Sequence, residues 1–228
     1  MMKVKFSIFV FFIVPYIGVF FLQIYGGKIS KHFPKQVEEM NKLAANEATS
    51  TINGAIKLKE DGFLGDGGFG FVYEGTIIKD NRSVAIKFVA KSNLIESERE
   101  FYTFVKLFAY QTPETERLGI PVVYYRGQWK NFTLTAITKL DKNLFDLIDE
   151  EHHLKNPLDV LILIRNFIFQ SKYMHRNGVR HDDITPGNIM VKGYKSFIID
   201  YNQSSKMAKD NKGCTMIFAS RRWHKEKN

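Results

Sequence analysis

The chain has 228 residues, 44% of them hydrophobic, enough for a sizeable core in one or two folded units, so disorder throughout is excluded. Its formal charge of +9 comes from Lys and Arg residues dispersed along the sequence, a pattern of solvated basic surface that argues against a nucleic-acid partner. The single cysteine, Cys214, excludes an internal disulfide and any cysteine-based zinc cluster.

Lys3 and Lys5 precede an apolar run from Phe6 to Leu22, and Gly26-Gly27 follow before the sequence turns polar. Residues 1–27 therefore read as a signal peptide or a signal anchor. At helical rise the run would span ~25 Å, slightly short of a hydrocarbon core, which leaves both readings open. The expected location is the secretory-pathway lumen or outside the cell, with a single-pass membrane protein as the alternative; membrane contact follows only if residues 6–22 are not cleaved. Sequons begin at Asn81, Asn131 and Asn202 and would permit glycosylation in the lumen. Residues 28–57, polar and poor in aromatics, read as a linker with a short helical stretch around Gln36 to Ala48.

From Lys57 the pattern changes to alternating runs. Lys57 to Leu64 and Phe69 to Ile78 read as the two strands of a hairpin. Between them stand Gly65, Asp66, Gly67, Gly68, Phe69 and Gly70, and glycines without Cβ let backbone amides approach phosphate oxygens. A dinucleotide fold would open a helix at these glycines, whereas Phe71, Val72 and Tyr73 continue as strand. Next comes Ser83 to Val89, an apolar strand with Lys87 in its middle. A buried ammonium requires partners. Leu94 to Phe108 reads as a helix carrying Glu96, Glu98 and Glu100. Pro121 to Gln128 and Phe132 to Lys139 read as two more strands.

Residues 158–176 are apolar enough for a helix buried on most sides, stopped at Asn177-Gly178. The loop His181-Asp182-Asp183-Ile184-Thr185-Pro186-Gly187-Asn188 follows, then the strand Ile189 to Val191. Beyond a turn at Gly193, the strand Ser196 to Ile199 ends at Asp200-Tyr201-Asn202.

Taken in order, the glycine-rich hairpin, Val84-Ala85-Ile86-Lys87, His181-Asp182-Asp183 with Asn188, and Asp200-Tyr201-Asn202 resemble the parts of a protein kinase. Ala136 to Leu140, Leu144 to Ile148 and Thr215 to His224 resemble the hinge, the first large-lobe helix and the end of the activation segment in casein-kinase-1-like Ser/Thr kinases. The resemblance implies an α+β, bilobal fold: a five-stranded antiparallel small lobe over residues 58–140 and a partial, mainly helical large lobe over 141–228. It implies ATP and Mg2+ as cofactors and a protein substrate. Asp183 would be the catalytic base and Asn188 and Asp200 the metal ligands. Lys87 would hold the α- and β-phosphates, paired with Glu98, with Glu100 as runner-up. Leu64, Gly65, Asp66, Gly67, Gly68, Phe69, Gly70, Phe71, Val72 and Ala85 would surround the nucleotide, with Ile137 as gatekeeper and Thr138 and Leu140 facing the base.

The same resemblance exposes departures. Asp182 stands where most kinases have Arg, so a phosphorylated activation segment would meet no cation there. Thr185 replaces a Lys that contacts the γ-phosphate, and Asn202 replaces a Gly. The helices that would support the catalytic loop from below do not follow, so the 158–176 helix should expose an apolar patch, the mark of a partner, of instability or of a longer reading frame. A pseudokinase serving as a nucleotide-binding or interaction module is the alternative function, and a small-molecule kinase fits the glycine loop and activation segment less well.

Overall fold

The computed structural model describes residues 30–110, 112–149 and 156–206. Its larger sheet has six strands: β1 (Thr51–Ile52), β2 (Ile56–Gly67), β3 (Gly70–Ile77), β4 (Arg82–Ala90), β5 (Val123–Trp129) and β6 (Phe132–Thr138). They are ordered β1-β2-β3-β4-β6-β5, with every neighbouring pair antiparallel. Five of them meet the expectation. The sixth, β1, is a two-residue addition turned by Asn53-Gly54, both at positive φ as such turns require.

Strand alternation divides this sheet into two faces. Opposed residues in an antiparallel ladder point to the same side, and the register pairs Phe71 with Phe88, Tyr73 with Ile86, and those two β4 residues with Leu134 and Ala136. All six are buried and form the small-lobe core. Phe71 and Phe88 stack with centroids 4.8 Å apart, and Phe132 meets Phe71 edge-on at 5.5 Å. The opposite face carries Val72, Ala85, Lys87 and Ile137.

The core face is covered from outside by helix α1 (Pro34–Ala44), which buries Val37 and Met40. Tyr73 donates its hydroxyl to Asn41 Oδ1 at 2.7 Å. Residues 30–57 are thus part of the small lobe, a correction to the linker reading. Only a narrow stripe of α1 is apolar, and the aromatics of the sheet that it joins in one core lie far along the chain. Helix α2 (Leu94–Lys106) links β4 to β5 and matches its expected extent closely.

The second region holds α3 (Leu144–Asp149), α4 (Pro157–Arg176) and two small antiparallel sheets. One joins β7 (Lys142–Asn143), β9 (Ile189–Lys192) and β10 (Lys195–Ile198); the other joins β8 (Val179–Arg180) and β11 (Ser205–Lys206). Asn156 caps α4 by accepting from the Leu158 amide at 3.0 Å, with Pro157 in the first turn. Gly178, at φ 68°, ends the helix. The expectation that α4 is buried on most sides is corrected: only Gln170 and Met174 are buried, and Leu161 and Ile168 are 53% and 58% exposed. The expected apolar patch is present.

Residues 1–29 lie outside the described residues, and with them the signal or anchor. No helix among the described residues is long and apolar enough to cross a membrane. The activation-segment match from Thr215 to His224 also lies outside them.

Candidate active site

Lys87 faces away from the core because its neighbours Ile86 and Phe88 face into it. Its ammonium donates to Glu100 Oε1 at 3.0 Å and to Asp200 Oδ1 at 2.6 Å. Burial alone would lower the lysine pKa, but the attraction of the two carboxylates prevails and holds it above the usual range. Lys87 is therefore a cation at every physiological pH.

Glu100, not Glu98, is the helix partner. Residues two apart on an α-helix are separated by roughly 200°, so the two carboxylates leave opposite sides of α2. Glu100 shares the buried side with Ser97, Thr103 and Phe104. Glu98, with its side chain 58% exposed, pairs with Arg126 Nη2 at 2.5 Å. Arg126 also donates to Thr135 Oγ1 at 3.1 Å and lies over the Phe101 ring at 4.3 Å, so it fastens α2 to the sheet. Nothing in the sequence singles out this arginine.

Asp200 sits at φ 64° and ψ 67°, a left-handed backbone uncommon outside glycine and tolerated best by Asn and Asp. Tyr201 anchors the turn that follows. Fully buried, it donates its hydroxyl to Ile198 O at 2.9 Å and meets Phe104 edge-on at 5.0 Å and His181 at 5.1 Å. Asn202, which stands in place of a Gly, does not adopt left-handed backbone. Its side chain is buried instead, and its backbone carbonyl oxygen accepts from Arg99 at 2.9 Å.

Phe104, Tyr201 and His181 form a continuous line of ring contacts, edge-on and then tilted, from α2 to the loop after β8. His181 Nε2 bonds Ile199 O at 2.8 Å and its Nδ1 accepts from the Asp183 amide at 3.3 Å, which assigns a neutral ring protonated at Nε2. Burial pushes its pKa below the ordinary value. The histidine thereby ties the strand leading to Asp200 to the backbone of Asp183. Asn188 donates its amide to Asp183 O at 2.9 Å and Oδ2 at 3.1 Å, and this commitment turns Asn188 Oδ1 away from the carboxylate. Asp183, Asn188, Lys87 and Asp200 thus belong to one connected arrangement.

Two departures acquire structural roles. Asp182 accepts from Arg180 Nε and Ser205 Oγ, linking β8 to β11. Thr185 Oγ1 accepts from the Asn188 amide at 3.3 Å, capping the turn Pro186–Asn188.

The nucleotide-facing residues divide. A Cβ placed on Gly65, Gly67 or Gly68 would meet nothing within 4 Å, whereas one on Gly70 would lie 1.9 Å from Phe88 O. Sheet packing therefore demands Gly70, while the other three leave a cradle open to phosphate oxygens. Val72, Ala85 and Ile137 lie on the lysine face. Leu64 stands at the β2 irregularity before Gly65, and Phe69 is half-buried at the hairpin tip. The side chains of Asp66 and Phe71 are corrections: they pair across the hairpin and point to the outer face, Phe71 into the core and Asp66 to Ser30 and His32.

At the hinge, the Thr138 amide donates to Val122 O at 3.0 Å, and its hydroxyl donates to Glu116 Oε1 at 2.6 Å. Both groups of Thr138 are thus committed to bracing the end of β6. Leu140 is buried, and the adjoining Asp141 amide donates to Val191 O at 2.9 Å. Glu116 also accepts from Tyr124 at 2.9 Å; a lone glutamate in a loop carries no sequence signal for such a bracing role.

Among the described residues no group of three or more His, Cys, Asp or Glu side chains could hold a resident metal. Asn188 and Asp200 suit Mg2+, which keeps waters and takes phosphate oxygens beside one or two protein ligands. The residues present fit Mg-ATP.

A glycine cradle, a lysine clamped between two carboxylates, and a carboxylate and carboxamide on one loop define a protein of the kinase class. The family model for the protein kinase domain matches residues 58–225, and the chain belongs to that family. It is 28% identical over 179 residues to the probable serine/threonine-protein kinase FPV226 of fowlpox virus, covering 73% of this chain and 60% of that protein. It is 28% identical over 148 residues to casein kinase I homolog 3 of Schizosaccharomyces pombe, covering 64% and 32%, and 30% identical over 128 residues to homolog 1 of that yeast, covering 56% and 27%. The chain thus spans less than two thirds of each relative. The solved kinase domain of PF14_0431 superposes with a TM-score of 0.63 at 14% identity, over 72% of this chain and 56% of that one, a likeness of fold.

Proposed function

We propose that the chain transfers the γ-phosphoryl group of ATP to a Ser or Thr hydroxyl of a protein substrate. The observation that carries this is the clamp of Lys87 between Glu100 and Asp200, formed while Asp183 and Asn188 are held together on the loop opposite. Bound Mg-ATP supplies the phosphoryl group and the metal that neutralises charge on its oxygens.

Lys87 offers its ammonium to the α- and β-phosphates, and Glu100 keeps it from swinging away. Backbone amides of the glycine-rich hairpin would receive phosphate oxygens, with no Cβ at Gly65, Gly67 or Gly68 to bar their approach. Asn188 and Asp200 would hold the metal, and Asp183 orients the attacking hydroxyl and accepts its proton. Such positioning is most of what phosphoryl transfer asks of a protein. Replacing Asp183 by Ala should reduce transfer by about 10²- to 10⁴-fold; equal transfer by variant and wild type sinks the reading.

The use of Thr185 as a turn cap, where a γ-phosphate cation would otherwise stand, favours a second reading: a pseudokinase that binds nucleotide without turnover. It predicts that Mg-ATP raises the melting temperature while no phosphate reaches any substrate. A carboxylate at Asp182 argues against control through a phosphorylated activation segment under either reading. A partner seated on the exposed face of α4, and secretion or membrane attachment through residues 1–27, belong to the same proposal.

A further inference from the structure

The phosphate loop is fastened from outside. Cross-strand pairing with Phe71 turns Asp66 to the outer face of the hairpin, where Ser30 and the start of α1 lie. Ser30 Oγ donates to Asp66 Oδ2 at 2.7 Å, and the His32 amide donates to the same oxygen at 2.8 Å. Ser30 Oγ in turn accepts from the Phe33 amide at 2.8 Å, and the Phe33 ring meets Phe71 at 5.7 Å. Ser30 is itself buried. Hydrogen bonds to an ionised carboxylate are the stronger kind. Burial would raise the Asp66 pKa, but the Ser30 hydroxyl and the His32 amide outweigh it and hold it below the usual range, so the carboxylate is charged at neutral pH.

The glycines beside Asp66 make this contact consequential. Gly65 and Gly67 pair with Val72 and Gly70 at the end of the hairpin ladder, Gly68 lies at its tip, and all three have open space where a side chain would stand; glycine backbone loses the most freedom on ordering. A loop of this kind closes over phosphate at an entropic cost unless something else already holds it. We propose that Ser30 and Asp66 are positioning residues for nucleotide binding: the segment Ser30 to Phe33 latches the glycine-rich loop and preorganises its cradle for the triphosphate. The inference rests on the nucleotide-binding reading above and extends it to a segment outside the matched kinase domain.

The test is Mg-ATP affinity by calorimetry on the full chain, together with amide hydrogen exchange over residues 65–70. Ser30→Ala and Asp66→Ala should each weaken affinity by about 3- to 10-fold and speed exchange of these amides by a similar factor. The double variant should be clearly less than additive, because both substitutions remove the same Ser30–Asp66 hydrogen bond. Asp66→Asn, which keeps an acceptor, should recover part of the loss. Glu39→Ala removes the exposed pair between α1 and Lys130 and should match wild type, which separates the latch from general loosening of α1. Unchanged affinity and exchange in Ser30→Ala and Asp66→Ala overturn the proposal, as does an additive double variant. A wild-type chain that binds no Mg-ATP sinks the functional reading instead, and the latch then stands or falls on the exchange rates.

Discussion

Lys87 and Phe88 are consecutive residues of one strand with unrelated duties. Phe88 is fully buried in the outer core, stacked on Phe71. Lys87 faces the other way, into the clamp with Glu100 and Asp200. The same alternation runs through β3 and β6, so one sheet presents a stability face and a chemistry face a single residue apart. The apolar face closes under α1 and needs nothing further. The polar face holds a charge whose desolvation is offset only by its two partners, an arrangement sustained by function more than by folding.

Substitutions at the two positions should therefore fail in different assays. Lys87→Arg keeps a cation between the carboxylates but replaces a point ammonium with a planar fork. Phosphoryl transfer should fall by about 10²- to 10³-fold while the melting temperature moves little. Phe88→Ala should destabilise by about 3–5 kcal/mol, the transfer and cavity terms of a core aromatic, measured by denaturant titration. Its folded fraction should retain wild-type affinity for Mg-ATP. A Phe88 variant that keeps its stability, or a Lys87→Arg variant that keeps its rate, breaks the division.

The helix carboxylates sharpen it next. Glu100→Gln should lower transfer by about 10²-fold. Glu98→Gln, which loses a pair whose glutamate end is largely exposed and keeps an acceptor for Arg126, should stay within about 1 kcal/mol in stability and near wild type in rate. Steady-state kinetics on the two variants decide which glutamate serves Lys87.

A smaller effect concerns His181. Its buried ring gives up its proton more readily in the folded chain than the ordinary value near 6.5. The unfolded chain therefore binds the extra proton first on acidification. Stability from this residue is full above about pH 6.5 and declines as pH falls below it, because protonating Nδ1 also removes the acceptor of the Asp183 amide. The melting temperature should drop between pH 7 and pH 5 less steeply in His181→Asn than in wild type.

These residues also mark what is legible in the sequence. The hairpin, the lysine strand and the loop from His181 to Asn188 are readable because strand alternation and turn chemistry are local. Glu98 and Glu100 are not separable that way: each is followed by aromatics at helical spacing, and only the burial of Phe104 against Tyr201 decides the face. The small-lobe role of α1 is hidden because Val37 and Met40 gain their burial from aromatics on distant strands. Asp66 looks like a nucleotide contact because it lies within the motif, and its true direction depends on the register with Phe71.

The outer sheet face and the outward face of α4 make a second contrast, with the smallest expected effect. Both are apolar, but α1 covers the first, while Leu161, Ile164 and Ile168 on α4 stand open among the described residues. A side chain already in water loses little when it becomes polar. Ile168→Ser should thus change stability by no more than about 0.5 kcal/mol, measured by denaturant titration. A loss of about 2 kcal/mol or more, the size expected for truncating a buried aliphatic side chain, would mean that this face is covered in the full chain as the sheet is covered by α1.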